Sequence, residues 1–229
     1  MHRIIIAVDG VSSSGKSTLA KDVAKKLNFV YIDTGAMYRA ATLLAIQNHL
    51  IKNETVNNNL IPLLKKNEIK FKTENNVRTL WLNEVNVEYD IRTLEVSEKV
   101  SLISKIPAVR EILVEKQRKM SQLSNVILDG RDIGTVVFPN ADVKFFITAS
   151  IEVRVQRRYD ELIQRGDNVT LLEIQENIKK RDFIDCTREI SPLRQAPDAI
   201  LIDNSNLNRQ QQLDIALQYI EDKVPGLSL

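Results

Sequence analysis

Residues 10–17 read Gly10-Val11-Ser12-Ser13-Ser14-Gly15-Lys16-Ser17 and satisfy the pattern G-x-x-x-x-G-K-[ST]. An apolar run, Ile4-Ile5-Ile6-Ala7-Val8, precedes it and stops at Asp9, as a strand buried on both faces does before it enters a loop. Beyond it, Leu19, Ala20, Val23, Ala24 and Leu27 recur at helical spacing with Lys and Asp between them, which predicts a helix over 16–27. Strand, glycine-bounded loop and helix in that order form a setting that binds phosphate. Backbone N–H groups curl around phosphate oxygens, and the helix N-terminus adds partial positive charge. Lys16 is placed to reach the β- and γ-phosphates of a nucleotide and Ser17 to set its hydroxyl on Mg²⁺, with residues 10–15 and Thr18 completing the nucleotide-phosphate site. A serine-rich turn that only caps a helix is the lesser reading.

Working outward, Phe29-Val30-Tyr31-Ile32 is a second short strand, which gives the βαβ start of a parallel sheet. A helix is expected over 38–50. Residues 69–73, 78–82 and 85–87 then alternate or favour β, with Asn-rich turns between them, and predict a small antiparallel insert over 62–95. Helix returns over 96–122, interrupted near Pro107. Residues 126–128 and 143–147 read as two further core strands, 151–164 as an arginine-rich helix, 171–181 as another helix, and 199–202 as a last strand. The fold class is α/β: one unit over 1–229 with a central parallel sheet flanked by helices and a β-rich insert, with no internal repeat, low-complexity tract or interdomain linker.

Composition narrows the partners. Thirty-two Lys and Arg against 30 Asp and Glu leave a formal charge of +2 over 229 residues, a balanced surface that argues against nucleic acid as partner and makes any polyanion site local. The single Cys186 excludes an intramolecular disulfide and a cysteine-based zinc site. The run at 4–8 is too short for a signal sequence or membrane span. These features predict a cytoplasmic protein with no membrane partner. His2 and His49 read as surface residues, Trp81 as sheet packing and Cys186 as a bystander.

A phosphate loop alone leaves GTPase, ATPase, kinase and binding-module readings open. The Asn-Lys-x-Asp tetrapeptide expected of a GTPase is absent from the sequence. Arginine-bearing segments follow core elements instead: Asp33-Thr34-Gly35-Ala36-Met37-Tyr38-Arg39, Leu128-Asp129-Gly130-Arg131-Asp132, and the stretch from Arg181 to Arg188. In open α/β sheets the ligand crevice lies beyond the carboxyl ends of the strands, where such segments are expected to meet. Arginines and the Thr34 hydroxyl make a receiver for a second, acceptor phosphate.

With those segments assembled, the sequence resembles the bacterial cytidylate kinases, a branch of the nucleoside monophosphate kinases. The resemblance runs nearly end to end. It is carried by Asp9 to Thr18, by 33–39, by Asp129-Gly130-Arg131-Asp132-Ile133-Gly134-Thr135-Val136-Val137-Phe138-Pro139, by Ile91-Arg92-Thr93, by Pro107 with Arg110, and by Lys180-Arg181-Asp182 with Asp185 and Arg188. It implies a P-loop kinase core, a monophosphate-binding domain matching the insert at 62–95, and a short helical lid over 152–166. It implies ATP as phosphoryl donor with Mg²⁺, CMP and dCMP as acceptors, and a monomer. Thr34, Arg39 and Arg131 would hold the acceptor phosphate; Ser101, Arg110 and Asp132 would read cytosine; Arg181 and Asp185 would approach the sugar; and Arg188 would touch phosphates during transfer. Lys16, Arg131, Arg188 and the lid residue Arg158 would be the catalytic set. Two departures stand out: Val11 occupies a position where the family commonly has Pro, and residues 183–187 are less polar than the usual run.

Other readings remain beside these. Arg39 and Arg110 lie on expected helices and are alternatively solvated charges. Asp129 is either a turn residue after a strand or a carboxylate that holds metal-bound water. Arg154, Arg157, Arg158 and Arg165 are alternatively ordinary surface charge. At the level of activity, the alternatives are a kinase for another nucleoside monophosphate or small metabolite, and a non-catalytic ATP-binding protein.

Overall fold

In the computed structural model, which describes residues 3–74 and 77–227, the elements in chain order are β1 (Ile5–Gly10), α1 (Lys16–Leu27), β2 (Val30–Asp33), α2 (Thr34–Gln47), β3 (Ile51–Lys52), β4 (Thr55–Val56), α3 (Leu60–Lys66), β5 (Ile69–Glu74), β6 (Val77–Leu82), β7 (Val85–Asn86), α4 (Leu94–Ser104), α5 (Pro107–Ser121), β8 (Val126–Gly130), β9 (Val143–Thr148), α6 (Ile151–Gln164), α7 (Leu171–Thr187), β10 (Ile200–Asp203) and α8 (Arg209–Lys223). His2 lies outside the described residues, so its surface reading has no structural counterpart here. The elements group into two compact units, Met1–Asp33 with Arg118–Leu229, and Thr34–Gln117.

The first unit is built on a five-stranded parallel sheet in the order β10-β9-β1-β8-β2. Strand β1 sits in the middle because Ile6, Ala7 and Val8 have no exposed surface on either face. Its register is fixed on both edges, Ile5 against Val126 and Ile6 against Val143. Leu19, Ala20 and Val23 of α1 pack in one apolar cluster with Ile127, Phe145 and the α8 residues Ala216, Leu217 and Ile220. The parallel register brings Gly10, Asp33, Gly130, Thr148 and Asp203 to the carboxyl edge of the sheet.

The second unit holds α2, the β3–β4 hairpin, α3, the antiparallel sheet β5-β6-β7, α4 and most of α5. Its core is Leu60, Leu64, Leu80, Ile91, Ile103 and Leu113. Pro107 opens α5 at a position where a missing N–H costs nothing.

Several boundaries differ from the sequence reading. The α2 helix begins at Thr34, directly from β2, rather than at residue 38, and ends at Gln47 rather than at 50. The α7 helix continues to Thr187 rather than stopping at 181, because its buried face changes from Ile174 and Ile178 to Arg181 and Asp185. The sequence reading did not include α3, the β3–β4 hairpin, α8 or a single π turn at Ile133–Val137.

Candidate active site

Gly10 enters the loop with a Cβ-forbidding contact: a side chain there would sit 2.1 Å from the Ile147 carbonyl oxygen of β9. Gly15 has φ +90° and an added Cβ would lie 2.8 Å from Asn204 Nδ2, so both the backbone angle and the space require glycine. Ser13 between them has φ 58°. This bent loop is held from outside. The Ser12 N–H donates to Asp182 Oδ1 (2.9 Å), and the Ser12 carbonyl accepts from Arg154 Nη1 (3.1 Å), while Arg154 and Asp182 bond to each other. The Ser14 carbonyl accepts from Asn204 Nδ2 (2.6 Å) and Arg157 Nη1 (3.3 Å), and Arg157 also donates to Asn204 Oδ1 (2.9 Å). Arg154 is therefore buried structure and not surface charge. Arg158 pairs with Glu161, one turn away on α6, at 2.8 Å.

Lys16 is 7% exposed and donates to the Val11 carbonyl at 3.1 Å, which folds its ammonium back over the loop. Ser17 Oγ donates to Asp129 Oδ2 (2.5 Å), and Tyr31 Oη donates to Asp129 Oδ1 (2.7 Å). Asp129 is thus a buried residue at the end of β8, which removes the turn-only reading. Burial, with Asp33 close by, pushes its carboxyl above the usual range against the pull of Lys16. A hydroxyl and a carboxylate in contact are hard oxygen donors, the set that Mg²⁺ takes. Beside Gly15, a cavity of about 240 Å³ is walled by Thr18, Arg157, Asn204, Leu207 and Gln212 among others.

A second cluster in the same unit gathers Arg131, Asp132, Arg181, Asp185 and Arg188. Arg131 Nε donates to Asp185 Oδ2 at 2.8 Å; Arg188 lies 3.6 Å from Asp132 and 3.9 Å from Asp185. Burial raises the Asp185 carboxyl, but Arg131, Arg181 and Arg188 outweigh it and hold it below its ordinary value. Helix α7 supplies Arg181 and Asp185 one turn apart, and its C-terminal end supplies Arg188. Asp9, at the end of β1, had no role in the sequence reading. Here it is buried and accepts from the N–H groups of Ile133 (2.8 Å) and Gly134 (2.7 Å). Burial lifts its carboxyl to about 7 in spite of those two bonds. An Asp immediately before the loop glycine is its only sequence signal.

Within the second unit, Thr34 is buried as the first residue of α2, and Arg39 is half-buried on the same helix. Ser101 of α4 is 2% exposed. Arg110 of α5 is 4% exposed, donates to the Ser104 carbonyl at 3.2 Å and sits 5.5 Å from the centre of the Tyr38 ring. Arg110 is not a solvated surface charge. Trp81 packs on β6 with the Lys72 ammonium 3.9 Å above its ring, and Cys186 is exposed.

The family model described as Cytidylate kinase matches residues 6–222. A curated relative of that name from Flavobacterium johnsoniae is 50% identical over 227 residues, covering 98% of this chain and 99% of its own. Another from Bacteroides fragilis is 50% identical over 215 residues, covering 93% and 94%. Among solved structures, an uncharacterized protein from Eubacterium ventriosum covers 96% of this chain and 99% of its own with a TM-score of 0.50 at 16% identity, a likeness of fold alone.

Proposed function

The chain belongs to the cytidylate kinase family, and we propose that it transfers the γ-phosphoryl group of MgATP to CMP and dCMP, giving ADP and the nucleoside diphosphate. The observation that carries this reading is the 50% identity maintained over nearly the full length of both chains, which takes in the acceptor-side segments as well as the phosphate loop.

The loop N–H groups would cradle the donor phosphates, and the cavity beside Gly15 has room for part of the donor nucleoside. Ser17 and Asp129 would hold the metal, which when bound neutralises charge on the β- and γ-phosphate oxygens. The acceptor is a phosphate oxygen already anionic at neutral pH, so no general base is required and catalysis is positioning with charge stabilisation. Lys16 would swing from the Val11 carbonyl to the transferred group. Thr34, Arg39 and Arg131 are assigned to the acceptor phosphate, Ser101, Arg110 and Asp132 to cytosine, Arg181 and Asp185 to the sugar, and Arg188 and Arg158 to phosphates during transfer. The segment 152–166 acts as the lid that excludes competing water.

No helix among the described residues is long and apolar enough to cross a membrane. The lone cysteine and nearly balanced charge support a protein acting in the cytoplasm without nucleic acid as partner, and we take it to be a monomer. An ADP-release assay with CMP, dCMP, UMP, AMP and small hydroxylated metabolites tests the activity. ADP release dependent on CMP and Mg²⁺ is expected. Preference for another acceptor, or none, overturns the reading.

A further inference from the structure

The P-loop leaves Asp9 without a role, yet the side chain is 4% exposed and both its oxygens are engaged. One accepts from Ile133 N–H at 2.8 Å and the other from Gly134 N–H at 2.7 Å. These are the first two residues of the π turn, which the Asp132 carbonyl closes by accepting from Val136 (2.9 Å) and Val137 (3.1 Å). Such turns are rare and concentrate at functional sites. The far wall of the turn is Lys144: a Cβ on Gly134 would meet its Cδ at 3.1 Å and Asp9 Oδ2 at 3.5 Å. The Lys144 ammonium is taken by Asp198 (2.7 and 2.9 Å) and the Pro139 carbonyl. The short segment carrying Arg131 and Asp132 is therefore fixed at both ends. Gly130 is held in the sheet opposite Asp9, and Ile133 with Gly134 is held by the Asp9 carboxylate.

We propose that Asp9 is a positioning residue for the acceptor nucleotide: by gripping the turn after Asp132 it aims Arg131 and Asp132, and so governs acceptor capture and base choice. This rests on the cytidylate reading above. The phosphate loop has its own tethers, Ser12 to Arg154 and Asp182, Ser14 to Arg157 and Asn204, and Gly10 paired with Ile147 in the sheet, so releasing the turn weakens CMP and spares ATP.

Asp9→Asn puts an amide donor against one of the two N–H donors and breaks one bond. Steady-state kinetics for CMP, UMP and ATP, with amide hydrogen exchange at Ile133 and Gly134 in the nucleotide-free protein, test the idea. The expected result is a KM for CMP raised about tenfold, a smaller CMP:UMP ratio of kcat/KM, a KM for ATP within about twofold of wild type, and faster exchange at both amides. Gly134→Ala presses the same turn from its other side with Asp9 intact; the same selective loss is expected, and this variant decides the matter if Asp9→Asn does not fold. Equal weakening of CMP and ATP, or unchanged CMP kinetics, overturns the proposal. An active wild type with an unaffected variant overturns this inference alone, whereas a wild type inactive on CMP overturns the cytidylate reading and this inference with it.

Discussion

The role proposed for Lys16 lies in the reaction and not in the fold: its ammonium is held by a carbonyl of its own loop, and its removal leaves the apolar cluster of α1 untouched. Lys16→Ala is expected to lower kcat by about 10²–10³, the loss typical for one donor aimed at developing charge, with an unchanged thermal midpoint. Retained turnover in the folded variant would remove the role. Asp132 tests base choice. A carboxylate accepts from the cytosine 4-amino group but faces the uracil 4-oxo group acceptor against acceptor. An unpaired polar group costs about 1–3 kcal/mol, roughly ten- to a hundredfold in discrimination. Asp132→Asn, whose amide donates or accepts by rotation, should lower the CMP:UMP ratio of kcat/KM, chiefly through CMP. If both activities fall together, Asp132 serves Arg188 and not the base.

Helix α7 joins packing to chemistry. Ile174 and Ile178 continue into Arg181 and Asp185 on the same buried face, and the charged half meets Arg131. With its folded-state pKa below the ordinary 3.8, Asp185 contributes stability that is full above about pH 4 and is lost as pH falls through the folded value. Asp185→Asn, which leaves the buried Arg131 without its carboxylate, should cost about 3 kcal/mol near neutrality and flatten the acid limb of a plot of urea midpoint against pH. An acid limb as steep as wild type would place the titration elsewhere. At the other end, Thr170 and Glu173 form a reciprocal capping box. Thr170→Ala is expected to cost about 1 kcal/mol, or roughly 2–4 °C in Tm by calorimetry; an unchanged Tm means that this end frays without consequence. The same helix shows where sequence pattern stops informing. The α1 and α6 helices keep a polar–apolar period to their ends, so their limits were legible as 16–27 and 151–164. On α7 the pattern ends where the inward face turns charged, which hid the last six residues. At Thr34-Gly35 a loop-like pair opens α2, where buried Ala36, Met37, Ala40 and Ala41 override the local signal. The β3–β4 hairpin turns through Asn53 and Glu54, both at positive φ, inside an Asn-rich stretch that offers little apolar contrast. The phosphate loop and the residues of the Arg131–Asp185 cluster could be read from their types. The grip of Asp9 on a turn 124 residues away could not, because it depends on strand register alone.

At the scale of the molecule, a unit of residues 34–117 interrupts the chain that builds the parallel sheet. Both neighbours of β1 lie beyond that interruption, so a fragment of residues 1–117 retains β1 and β2 without β8 and β9. Such a fragment is expected to show no cooperative unfolding by circular dichroism of the αβ core, whereas the full chain does. Slow amide hydrogen exchange across Ile6–Val8 in the fragment, as in the full chain, would contradict the dependence on β8. The central strand also has a history in time. Ile6 leaves the peptidyl-transferase centre 121 residues before Ile127, its partner on the first neighbouring strand to be made, and at about 5–20 residues per second that interval is roughly 6–24 s. For that period the nascent chain carries an apolar β segment with both edges open, a sequence of the kind that pairs with its like on neighbouring ribosomes. The buried strand that organises the finished enzyme is thus the segment that molecular chaperones would be expected to shield during synthesis, and the yield of active protein should depend on translation rate across residues 34–126 more than on the stability of the product.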